Sequence, residues 1–229
     1  MSAVSLADPA GSVLVVHGLW NQGPESYVLR QRLASDGFQT DAIRYASVAG
    51  DPDDIAALLA DKMHGLGPGP VHLVGHSLGG LMILAALEAH PELPPGRVVL
   101  LGSPVGGSAA ARAFAATPLG AVMIGRVLPE ALKRDFQAPS DRPVGMIAGN
   151  RPVGMGRLFA DLGGPSDGTI AVSETRMPGL TDHLVLPVTH TGMLFSPDVA
   201  AAASKFLSTG RFAVGGPGRG LAEPLAGSR

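Results

Sequence analysis

"PVHLVGHSLGGLMILAALEAHP" occupies residues 70–91 and decides how the chain folds. "PVHLVG" (70–75) has strand character. It runs directly into His76, Ser77 and, past Leu78, a pair of glycines. "LGGLMILAALEAHP" (78–91) then shows helical spacing that is apolar nearly all round, which predicts a buried helix stopped at Pro91. A strand that becomes a buried helix across two or three residues needs a sharp turn. Glycines beside Ser77 make room for one.

Working outward, the same alternation recurs. "GSVLVVHG" (11–18) is a short valine-rich run between glycines, the pattern of a buried parallel strand. "ESYVLRQRLASD" (25–36) has helical spacing through Tyr27, Val28 and Leu33, with Gly37 in the position after the helix that favours glycine. "FQTDAIRY" (38–45) alternates as a strand, and "DPDDIAALLADKMHGLG" (51–67) is a helix opened by acids that suit its dipole. "RVVLLGSP" (97–104), "RPVGMIAG" (142–149, weakened by Gly145) and "DHLVLPVTH" (182–190) predict three further strands. "SPDVAAAASKFLSTG" (196–210) predicts a helix capped by Ser196 with Pro197 at its first position. Strands alternating with helices predict an α/β fold: a mostly parallel central sheet with helices on both faces. Residues 1–209 form one expected domain. Residues 210–229, rich in glycine and proline, are expected to be a flexible tail.

Composition narrows the function. Charged residues make up 16% and net charge is -2 without a basic block, which argues against nucleic acid or an anionic membrane as partner. With no cysteine, thiolate metal sites and cysteine nucleophiles are excluded. The first positive residue is Arg30 and no apolar run approaches about 18 residues, so neither a secretory leader nor a transmembrane segment is expected. A cytoplasmic location is the default expectation.

Gly75-His76-Ser77-Leu78-Gly79 fits G-x-S-x-G between a strand and a helix, the context that gives this pattern meaning. There a serine hydroxyl stands exposed at the carboxyl end of the sheet, above a helix N-terminus that favours negative charge. A serine needs a base. Of seven histidines, His190 lies just beyond the carboxyl end of a strand, where sites form in open parallel sheets. His17 and His76 are also at that end but belong to glycine turns. His72, His183, His64 and His90 lie within a strand, at a strand's wrong end or at the far ends of helices. For the acid that orients the base, Asp167 follows the strand at 142–149, whereas Asp141 precedes it, Asp161 lies in the loop and Asp182 starts the last strand. The N–H groups of Leu78, after the serine, and of Leu19, in "HGLW" (17–20), are the expected oxyanion donors. The alanine-rich segment after Gly102 carries Phe114, Met123, Ile124, Leu128 and Leu132 at helical spacing. It either contributes an acyl pocket or small lid, through Met123, Ile124 and Leu128, or is ordinary packing. Trp20 is either a pocket wall or a rim aromatic.

The set "VVHGLW", "VGHSLGG", "LLGSPVGGS", "SDGTIAV" and "VTHTGML" resembles the α/β-hydrolase superfamily over roughly residues 12–208, most closely small bacterial lipase/esterase-like proteins, and is similar also to the GPI inositol-deacylase-like group. The chain order Ser, Asp, His is that of the superfamily. The resemblance implies Ser77 as nucleophile, Asp167 as acid, His190 as base and Leu19 with Leu78 as oxyanion hole. It implies a serine hydrolase acting on a small-molecule ester or acyl substrate, with no metal or organic cofactor. Acyl transfer, thioester or amide cleavage on the same residues, and a non-catalytic binding protein, are the alternatives. Two features depart from the family. "NRPVGMGRLFADLGGPS" separates the acid from its strand, and the chain leaves no room for a large cap domain.

Overall fold

The computed structural model describes residues 11–21, 24–154, 156 and 160–212. Six strands form one sheet: β1 (Ser12–Val16), β2 (Gln39–Ile43), β3 (Val71–His76), β4 (Val98–Leu101), β5 (Val144–Gly149) and β6 (Asp182–Leu186). Their order is β2-β1-β3-β4-β5-β6, and every neighbouring pair is parallel. The helices are α1 (Tyr27–Ser35), α2 (Pro52–His64), α3 (Leu78–Ala89), α4 (Ala109–Ala115), α5 (Pro118–Ile124), α6 (Val127–Ala131) and α7 (Pro197–Thr209).

The pleat sends alternate residues to opposite faces. Leu14, Val16, Leu73, Leu100 and Met146 join α2, α3 and α6 in one apolar cluster. Val13, Val15, Val74, Val99 and Ile147 join α1 and α7 in the other. Both faces of the central strands are therefore covered, which is why their sequences are continuous apolar runs. The helix caps follow the expected chemistry. Asp51 accepts the Asp53 N–H at 3.0 Å before α2, and Ser196 accepts the Val199 N–H at 3.3 Å before α7.

Three local expectations are corrected. Tyr27 was placed on the apolar stripe of α1, yet it is exposed; the buried pair is Leu29 and Leu33, one turn apart. Tyr27 lies two residues before Leu29, about 200° around the helix, and so faces water. Gly145 does not weaken β5. A β-carbon there would sit 2.6 Å from the Phe206 ring, so the glycine makes room for α7 to lie against the sheet. The boundary at 209 is also too early, because Gly210 ends α7 in a left-handed conformation (φ 79°) and the chain returns to the domain. Phe212 is buried against Phe206, with ring centroids 4.8 Å apart, and its N–H donates to Asp182 at 3.0 Å. The rest of the expected tail, 213–229, lies outside the described residues.

Among the described residues no helix is long and apolar enough to cross a membrane. Phe206 joins α7, β5 and Phe212 and is fully buried. Phe206→Ala should lower the unfolding free energy by about 3–5 kcal/mol in denaturant titration. A loss under about 1 kcal/mol would show that this side of the sheet closes without it.

Candidate active site

The chain runs from β1 to β2 on one side and then crosses to β3 on the other, so β1 and β3 are neighbours whose connections diverge. Such a switch point leaves a crevice beyond the strands' carboxyl ends. Ser77 stands there as the single residue between β3 and α3, at φ 55° and ψ -122°, a strained conformation for a residue with a side chain. Its N–H donates to the Leu101 carbonyl at 2.9 Å, which fastens the turn to β4. The glycines around it are required by close backbone approach. A β-carbon at Gly75 would lie 2.6 Å from the Gly80 Cα, and one at Gly79 would run into the carbonyl oxygens of Val16 and His17.

His190 lies beyond β6 and is held by Asp167. Its Nδ1 donates to Asp167 Oδ2 at 2.6 Å, and its backbone N–H donates to the Asp167 carbonyl at 2.9 Å. Asp167 is buried, and its other carboxyl oxygen accepts the N–H groups of Thr169 (2.9 Å) and Ile170 (2.7 Å). With Nδ1–H committed to Asp167, the neutral ring keeps its lone pair on Nε2. Sequence reasoning missed how the pair is accommodated. Gly102 (φ 56°) follows β4 and Gly149 ends β5, and β-carbons there would lie 3.0 Å from Asp167 Oδ2 and 2.7 Å from Asp167 Cβ. A glycine closing each of two adjacent strands, in "LLGSP" and "IAGN", was the available signal.

The other candidates are occupied elsewhere. Asp141 pairs with Arg142, Asp161 accepts the Gly163 N–H, and Asp182 accepts the N–H groups of His183 and Phe212. His17 stacks on Tyr45 at 4.3 Å and donates from Nδ1 to the Gly18 carbonyl, and burial holds its pKa below the ordinary value. His183 donates to the Thr175 hydroxyl at 2.9 Å, and burial with Arg176 nearby brings it down to about 4. His76 is buried and brought to about 3, by desolvation first and then by the neighbouring His190.

A cavity of about 440 Å³ opens over these residues. Gly18, Leu19, His76, Ser77 and His190 line it. Ala111, Phe114, Ile124 and Leu128 contribute apolar lining, and Thr169, Thr189 and Thr191 polar lining. Ser77 and His190 share this cavity without a direct hydrogen bond between them among the described residues, a contact that often tightens only around substrate. Leu78 is fully buried and opens α3, so its N–H belongs to the first turn, which has no intrahelical acceptor. The loop after β1 touches the elbow, since a β-carbon on Gly18 would lie 3.2 Å from Ser77 Cβ.

Trp20 lines the cavity at φ 63° and donates from its indole to the Met123 carbonyl at 2.8 Å, edge-on to Phe114. Met123 itself does not line the cavity, contrary to expectation. Ile124 and Leu128 are buried, whereas the Met123 side chain is partly exposed beside the exposed Leu119 and Val122 of α5. Among the described residues no group of three histidine or acidic side chains could hold a metal ion.

The elbow's close contact predicts that Gly79→Ala lowers stability by about 1–3 kcal/mol, because α3 must move off β1. Gly69→Ala, where a β-carbon meets nothing within 4 Å, should change stability by less than about 0.5 kcal/mol. Equal effects would remove the contact from the account. The lowered histidines add a pH dependence. Below the unfolded value of about 6.5 the unfolded chain binds more protons than the folded one, so stability falls as pH drops toward about 4. Urea midpoints at about pH 7.5 and about pH 5 should show this loss, and His183→Gln should reduce it. A variant with the same loss would exonerate His183.

Residues 13–208 match the family model described as the alpha/beta hydrolase family. A search of curated proteins by sequence gives no match. Among solved structures, the chain is similar to the mature form of the Bacillus licheniformis lipase BlEst2, at 22% identity and a TM-score of 0.73, covering 90% of this chain and 94% of that one. It is similar to the metagenomic carboxyl esterase MGS0156 at 17% identity and a TM-score of 0.61, covering 80% and 65% of the two chains. The RedJ thioesterase of Streptomyces coelicolor aligns at 15% identity and a TM-score of 0.56, covering 90% and 87%. With its parallel sheet, its helices on both faces and a family model spanning nearly all of the described residues, the chain belongs to the alpha/beta hydrolase family.

Proposed function

We propose that the protein is a serine hydrolase that cleaves small-molecule carboxylic esters through an acyl-serine intermediate. The observation that carries the reading is the 2.6 Å Asp167–His190 bond at the edge of the cavity that the strained Ser77 also lines. His190 Nε2 removes the Ser77 hydroxyl proton as Oγ attacks the ester carbonyl carbon. The carbonyl oxygen becomes an oxyanion, stabilised by the N–H groups of Leu19 and Leu78. Collapse expels the alcohol, which takes its proton from His190. Water then attacks the acyl-serine and gives a proton to His190, which passes it to the departing Ser77 Oγ as the acid is released. Asp167 fixes the imidazole tautomer and stabilises the imidazolium.

Phe114, Ile124 and Leu128 suit an aliphatic acyl chain, and Trp20 lines the same cavity. The exposed apolar residues of α5, tied to Trp20 through the Met123 carbonyl, fit the same substrate class. The lipase and carboxyl esterase among the similar structures agree with ester chemistry, and the thioesterase names the alternative acyl donor.

Ser77→Ala should fold normally and lose about a thousandfold or more of p-nitrophenyl ester turnover. Retention of more than about a tenth would move the nucleophile elsewhere. Asp167→Asn should lower turnover far more than Asp161→Asn or Asp182→Asn. His190→Gln should lose most of the activity, and a variant that keeps more than about a tenth of it would reassign the base.

A further inference from the structure

We propose that His76 is a positioning residue for the base: its Nε2–H grips the backbone carbonyl of His190 and so fixes where the His190 ring stands. The inference rests on the reading of His190 as base. His190 starts the short turn Thr191–Phe195 between β6 and α7 and belongs to no strand. Its ring and its N–H are both tethered to one residue, Asp167, which itself sits on a loop. The hydrogen bond from His76 at 3.0 Å holds the other side of the same residue. His76 is the last residue of β3, at the centre of the sheet, and is buried. The base is thereby referenced to the strand that carries the nucleophile, as well as to its own loop.

The tautomer follows from the partner. A carbonyl only accepts, so Nε2 carries the proton and Nδ1 carries the lone pair. That Nδ1 is buried against Gly18, where a β-carbon would lie 3.1 Å away, and it has no hydrogen-bond partner among the described residues. A buried acceptor without a partner weakens the fold. Packing alone gives no reason for an imidazole here, since an apolar side chain would fill the space without stranding Nδ1. What the imidazole adds is the donor at Nε2. Burial keeps His76 neutral, so it puts no positive charge beside the His190 ring, whose centroid is 4.8 Å away.

The test compares His76→Leu and His76→Gln by steady-state ester kinetics, thermal denaturation and the proton resonance of His190 Nδ1–H. Leucine removes the donor and the stranded acceptor together. It should lower kcat by about 10- to 100-fold, as loss of positioning does. KM should stay within about twofold, and Tm should equal or exceed the wild-type value. Glutamine can present an amide N–H near the Nε2 position and should recover most of the lost kcat. The His190 resonance should stay sharp in the glutamine variant and broaden in the leucine variant. Wild-type kcat in His76→Leu, or a glutamine variant as slow as leucine, overturns the proposal, as does a kcat that falls only in step with Tm. Should His76→Leu fail to fold, His76→Asn replaces it, because its shorter amide ends near the Nδ1 position and must show the same deficit against glutamine. If Ser77→Ala turns over ester as fast as wild type, the reading of the site fails instead. The resonance comparison then still decides whether His76 holds His190.

Discussion

The structure depends on one backbone constraint: β3 must turn into α3 at Ser77 while α3 presses its first turn onto the end of β1. Gly79 lies so close to the Val16 and His17 carbonyls that no side chain fits. That contact brings the N-terminus of a buried helix to the switch point of the sheet, beside the loop that carries Leu19. The positive φ at Ser77 is the local consequence. Strain of this kind persists only where surrounding packing over-determines it, and here α3 is buried along nearly its whole length.

The parallel sheet does the rest of the positioning. Each strand ends at the same edge and delivers its own loop there: Gly18 and Leu19 from β1, Ser77 from β3, Gly102 from β4, and Asp167 and His190 from the loops after β5 and β6. Hydrogen bonds across the edge tie these segments together: Ser77 to Leu101, His190 to Asp167, and His76 to His190. The three histidines at this edge each have a proton position set by a partner. His17 donates from Nδ1, His76 from Nε2 and His190 from Nδ1. Of the three, His190 alone is not fully buried, and its lone pair is on Nε2.

Much of this was legible in the sequence because buried parallel strands and an all-apolar helix leave strong, short patterns. Strand ends sufficed to bring Asp167 and His190 together, although a long loop intervenes. The failures have physical causes. Tyr27 looked apolar by type, but its helix phase turns it to solvent. The segment around α4, α5 and α6 is alanine-rich, so its pattern does not say which side faces the cavity, and Met123 was misplaced for that reason. Gly145 and Phe206 are 61 residues apart, and their contact leaves no local signal. Phe212 was lost in a glycine-rich context that hides one anchoring aromatic. The link from His76 to His190 joins the end of a strand to a loop by a backbone carbonyl, which residue type does not encode.

The central claim is that this elbow serine is a nucleophile served by the base held on Asp167. Peptide mapping by mass spectrometry after treatment with a fluorophosphonate tests it without knowledge of the substrate. A single adduct on Ser77 is expected, formed far more slowly in His190→Gln. An adduct on Ser103 or Ser108, or no adduct on the folded wild-type protein, would contradict it.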